Sequence, residues 1–226
     1  MGEVIHRKAA AADIFADAQS ALATATAKGG TFKTLAEEQL QTPLQLATTV
    51  KGKLTDLAAK LTPLQAELDH LDDEADALLG HSADEIWNLL GRHREDPYYN
   101  LLFPSGISFY VDGADDDQPA RMELLAQLLE AKLVPRLENA PAKQIADKLR
   151  ASATKLGDAV DKLRGPRTQH EMYSRVYTAL ARSCQMALVN LKRRYIAAGL
   201  TDAEIHSIIP SRTPAAKAPP KGPVTP

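Results

Sequence analysis

Glu67-Leu-Asp-His70 sets a carboxylate and an imidazole three residues apart. That is the half-motif which, present twice, builds carboxylate-bridged di-metal sites inside four-helix bundles. No second copy occurs, and the surrounding leucine periodicity puts His70 on an outward position, so a solvated surface pair is expected. The remaining histidines, at positions 6, 81, 93, 170 and 206, form no i,i+4 pair of the kind that holds zinc on a helix.

Asp112-Gly-Ala-Asp-Asp-Asp117 is dense in carboxylates but lacks the alternating order and closing glutamate of a calcium-binding loop. It stands just before a helix start at Pro119, where the helix dipole favours negative charge. Cys184 lies in an apolar helical stretch and reads as a buried structural cysteine. Lys192-Arg193-Arg194, with Arg175 and Arg182, reads as a solvated helix end rather than a phosphate site, since no aromatics accompany it. Phosphate-loop, dinucleotide, nucleophile-elbow and zincin motifs are absent. Neither catalysis nor a cofactor is expected.

The bulk numbers agree with a helical protein of ordinary solubility. Of 226 residues, 44% are hydrophobic, 25% charged and only 5% aromatic, which favours helices packed through alanine and leucine. With 27 basic and 29 acidic residues, no global field steers the chain toward nucleic acid. One cysteine forms no intrachain disulfide, MGEVIHRKAAAADIF lacks a signal-peptide core, and His6 stands where myristoylation wants Ser or Thr. A cytoplasmic protein is expected.

Six Ser/Thr residues are followed three positions later by Glu or Gln: Thr34, Thr42, Thr62, Ser82, Thr168 and Thr201. Several of them should be helix starts. A first helix should reach Lys28 and end at Gly29-Gly30. A second helical region should run from about Thr34 to Leu79, with a fresh start at Pro43, and stop at Gly80; Ser82 then opens a shorter helix. Val50, Leu54, Leu57, Leu61, Leu64, Leu68, Leu71, Ala75 and Leu78 alternate steps of four and three without error. A reversal at Pro63 would not require the second part to resume in phase, so one helix, kinked at Pro63, is the favoured reading.

Residues 97–111 hold five of the eleven aromatics. Phe103-Pro-Ser-Gly106 suits a turn, and Ile107, Phe109 and Val111 alternate with Ser108 and Tyr110, which predicts a β-hairpin or extended loop. Helices resume at Pro119 and Pro141, with a break or kink at Pro135; Gly165-Pro166 should end one helix and Thr168 should cap the next. That last long helix is apolar around most of its circumference (Met172, Val176, Leu180, Cys184, Ala187, Leu191), which predicts a central place in a bundle. Lys148, Lys155 and Lys162 flank the seam of Ile145–Leu163, while Glu67 and Glu74 flank that of Leu54–Leu78, so these two seams should meet.

The sequence therefore predicts an all-α fold, an elongated bundle of long antiparallel helices in a single domain over 1–209. A β-hairpin or extended apolar insertion falls near 98–111 (within 97–118), and a disordered Pro/Ala/Lys-rich tail covers 210–226. The expected function is a non-catalytic scaffold or adaptor acting through protein–protein contact or self-association. Its expected partner-binding residues are Tyr98, Tyr99, Leu102, Phe103, Ile107, Phe109 and Tyr110. A second reading makes the same segment a membrane-active tongue, and a third makes the bundle a container for a small ligand. Nucleic acid is not an expected partner.

Overall fold

The computed structural model describes residues 9–92 and 96–209. The expected disordered tail, from residue 210 on, lies outside the described residues. The fold is all-α. Helix α1 covers Ala11–Lys28 and α2 Gly30–Ala36; a π-helical turn at Glu37–Gln41 joins α2 to α3, Thr42–Leu89. Short helices α4 (Pro97–Leu102) and α5 (Ser108–Val111) flank an extended stretch at Pro104–Ile107. Helix α6 is Gln118–Glu130, α7 is Asn139–Ala197 and α8 is Asp202–His206.

Two compact units divide the chain, one made of residues 1–55 with 171–226, the other of 56–170. The first has its core in Phe15, Ala18, Ala21 and Leu40 together with Cys184, Leu188, Leu191 and Tyr195. Its alanines suit close helix approach. The second has its core in Leu68, Leu79, Ile86, Phe103, Tyr110, Leu125, Leu149 and Leu156. Both units draw on α3 and α7.

Helix α3 is continuous through Pro63. Every residue of the four-three series from Val50 to Leu78 is buried or half-buried, while Pro63 itself faces solvent. The Thr62 hydroxyl donates to the Ala58 carbonyl at 3.0 Å, so it bonds back along the helix instead of capping a new one. Burial of a continuous leucine seam outweighs one missing backbone hydrogen bond. At Pro43 the expected fresh start does not occur. The helical backbone continues through Thr42 (φ −61°), and the wide π turn, Glu37–Gln41, ends two residues before Pro43 and includes Gln39, whose carbonyl the proline ring would otherwise meet.

Several other expected boundaries are absent for the same reason. Gly80 and Ser82 are interior to α3, and Ser82 is buried. Gly165, Pro166 and Thr168 are interior to α7. Of the six candidate capping boxes, only Thr201/Glu204 forms; the Thr201 hydroxyl accepts from the Glu204 N–H, and the Glu204 carboxylate accepts from the Thr201 N–H at 2.8 Å. Hydrogen bonding from Thr201 holds the Glu204 carboxyl below its usual range.

The seams of Leu54–Leu78 and Ile145–Leu163 do meet. Leu68 and Leu156 share the core of the second unit, and Lys162 Nζ lies 3.2 Å from Glu67 Oε1. Arg167 also donates to Gln65 at 2.8 Å. The wider charge pattern is only partly used, because Glu74 pairs with His70 instead. The expectation that the last part of α7 is central was wrong. Met172, Val176 and Met186 are 63%, 45% and 67% exposed, and only the face through Cys184 is buried.

Candidate functional site

The aromatic segment is built mainly from helix. Asp96, itself buried, accepts hydrogen bonds from the N–H groups of Tyr98 (2.8 Å) and Tyr99 (3.2 Å), and Pro97 occupies the first turn, where no N–H is needed. Together they start α4. Arg136 approaches the other Asp96 oxygen at 3.6 Å. The expected turn forms, with the Gly106 N–H donating to the Phe103 carbonyl at 3.1 Å and Gly106 at φ +71°. The expected hairpin does not. There is no second strand among the described residues, and past Ile107 the chain coils into α5, where the Asp112 N–H bonds to the Ser108 carbonyl at 2.9 Å. Local helical bonds satisfy the backbone that a lone extended strand would leave open.

Five rings stack in sequence. Trp87 meets Tyr99 at 4.9 Å between centroids, Tyr99 meets Phe103 at 4.9 Å, Phe103 meets Tyr110 at 5.6 Å and Tyr110 meets Phe109 at 5.0 Å. The Tyr110 hydroxyl donates to the Leu102 carbonyl at 2.5 Å. The Arg121 guanidinium lies 5.9 Å from the Phe109 ring and donates to the carbonyls of Phe109 (3.1 Å) and Asp112. Gly113 makes room for it, since a Cβ there would stand 2.9 Å from Arg121 Nη2.

The seven expected partner-binding residues thus separate by burial. Leu102, Phe103 and Tyr110 belong to the core; Tyr98, Tyr99 and Ile107 are half-buried; Phe109 is 37% exposed. Leu101, not singled out from the sequence, is 48% exposed. The signal that would have revealed the helix is Asp96-Pro97, a cap followed by proline at the first helical position.

The other candidates resolve as surface chemistry. Glu67 pairs with Lys162 and His70 with Glu74, both in exposed positions. Among the described residues, no three His, Cys, Asp or Glu side chains are grouped so as to hold a metal. Asp72 has its carboxyl raised by burial and then by Asp76, Asp115, Asp73 and Asp69. Asp76 in turn accepts from Gln118 at 2.6 Å. Burial pushes the Cys184 thiol up to about 11, which keeps it protonated and unreactive. A groove of about 510 Å³ between α3 and α7, lined by Leu61, Gln65, Asp69, Arg167 and His170 among others, opens to solvent. No helix among the described residues is long and apolar enough to cross a membrane. No known protein family, no curated protein and no solved structure matches the chain.

Burial also pushes Tyr110 and Tyr195 up to about 12 from 10.0. Between these values the folded chain holds phenolic protons that the unfolded chain has released, so stability falls as pH rises. Urea midpoints should be insensitive to these two groups below pH 10 and decline between pH 10 and 12. In Tyr110→Phe the decline followed by Trp87 fluorescence should be shallower, at a cost of about 0.5–1.5 kcal/mol for the lost hydrogen bond. An unchanged slope would mean that Tyr110 is not the group titrating.

Proposed function

We propose that this chain is a non-catalytic helical scaffold or adaptor of the cytoplasm, a bundle of long antiparallel helices that binds protein partners through displayed apolar side chains. The pairs Gln65–Arg167 and Glu67–Lys162, which run in opposite order along α3 and α7, support the antiparallel arrangement within the second unit. The observation that carries the binding role is the division of labour in 97–111. Phe103 and Tyr110 anchor the segment in the core, while Leu101 and Phe109 stay at the surface. A rigid backbone that holds apolar side chains outward loses little entropy on binding.

The membrane-tongue reading is less well supported. Insertion would have to extract Phe103 and Tyr110 from the core and break the Tyr110–Leu102 hydrogen bond.

Both readings are tested with one pair of variants, Leu101→Asp and Phe109→Asp, each altering an exposed position. Affinity capture on the immobilised full chain should retain specific proteins that both variants lose, and wild type should not co-sediment with liposomes. Co-sedimentation abolished by Phe109→Asp would overturn the scaffold reading in favour of the tongue. Identical capture by wild type and both variants would remove this segment from the function.

A further inference from the structure

Beyond its buried face, α7 carries a second apolar row. Met172, Val176, Ala179, Ser183 and Met186 follow one another at steps of four, three, four and three, and all five are exposed. The spacing is that of a coiled-coil seam, and no described residue of the first unit covers it. Arg175 and Arg182 each immediately precede a row residue and run along one flank, and Arg193 stands beyond the row's end. None of the three makes an ion pair among the described residues, whereas Arg194 pairs with Glu38. From Glu171 to Ala197 the helix carries five basic residues and a single acid, Glu171 itself.

These features select among occupants. A second copy is a poor fit. Antiparallel copies would set the flanking arginines against each other, and parallel copies would set them opposite Leu180 and Ala187, which face the core of this unit. A lipid surface is also a poor fit, because the row contains no aromatic or leucine and is low at Ala179 and Ser183. Small residues between two methionines instead leave room for the interdigitating side chains of another helix, and methionine adapts to what it meets. We infer that the Met172–Met186 row docks an amphipathic helix of a partner protein whose apolar seam is bordered by glutamate or aspartate. The row spans about 21 Å at 1.5 Å per residue, which matches two to three heptads of partner. This surface is distinct from 97–111.

The test uses two synthetic 21-residue helical peptides with the same leucine seam, one with glutamate and one with lysine at the flanking positions. Their binding to the full chain is followed by fluorescence anisotropy. The glutamate peptide should bind, and the lysine peptide should bind at least about tenfold more weakly. Met186→Asp and Val176→Asp should each weaken the glutamate peptide about tenfold while keeping the wild-type helical circular dichroism. If one of the two loses helicity, the other carries the measurement. Arg175→Glu with Arg182→Glu should reverse the preference toward the lysine peptide, and Phe109→Asp should change nothing. The inference is overturned if the glutamate peptide does not bind, if both peptides bind alike, or if the row variants have no effect. It is equally overturned by a dimer of the full chain that Met186→Asp dissolves, or by wild type binding phosphatidylserine vesicles through the row.

Discussion

Phe103→Ala is expected to destabilise the 56–170 unit by about 3–5 kcal/mol, the range for emptying a phenylalanine site in a packed core. Phe103 is 2% exposed and lies between the Tyr99 and Tyr110 rings. Its backbone also closes the turn, donating to the Tyr99 carbonyl at 2.8 Å and accepting from the Gly106 N–H at 3.1 Å. Alanine would keep those bonds and remove the ring, so the loss measured is packing. Trp87 is the single tryptophan, sits edge-on to Tyr99 and lies in this unit. Its fluorescence midpoint in urea should fall sharply for Phe103→Ala. For Phe109→Ala the cost should stay near 1 kcal/mol, because that ring is partly in solvent and makes one cation–π contact. Equal losses at the two positions would show that the segment is not anchored as described.

Pro63→Ala is expected to stabilise the chain by about 2–2.6 kcal/mol. Proline in a helix interior is about 3 kcal/mol worse than alanine, because it removes an N–H and its ring presses on the carbonyl four residues back, here that of Ala59. Part of that gain is returned, because alanine restores roughly 0.4–1 kcal/mol of conformational freedom to the unfolded chain. Pro63 is exposed, so no ring packing is forfeited. Pro97→Ala serves as the control. At the first turn of α4 the missing N–H has no partner to lose, so no comparable gain should appear. A destabilised Pro63→Ala would mean that a bend at this point is needed to seat Leu61, Leu64 and Leu68.

The four-three phase of α7 likewise runs on through Pro166. Counting on from Leu163 in steps of three and four gives Pro166, His170, Tyr173, Tyr177, Leu180, Cys184, Ala187 and Leu191. None of them is exposed. Local punctuation (Gly165-Pro166, Thr168, Gly80, Ser82) pointed to helix ends, yet the long-range phase of the apolar residues pointed through them. Phase carries more weight because each in-phase residue adds buried surface, whereas a glycine or proline costs a fixed amount once. Punctuation did decide the ends where the phase also stopped, at Gly29, at Gly199 and in the Thr201 box.

The residue series alone determined the all-α class, the two leucine seams and their meeting at Leu68 and Leu156, since these depend on spacing along one helix and on matching faces. Only the tertiary structure decided which apolar side chains are covered. Phe103 and Phe109 are six residues apart and chemically identical, yet one is core and the other surface. Leu188 and Met186 stand two residues apart on α7, and one is sealed while the other is 67% exposed. Burial is a property of what lies opposite, set by the number and placement of neighbouring helices. A single helix carries no record of how many neighbours it will have.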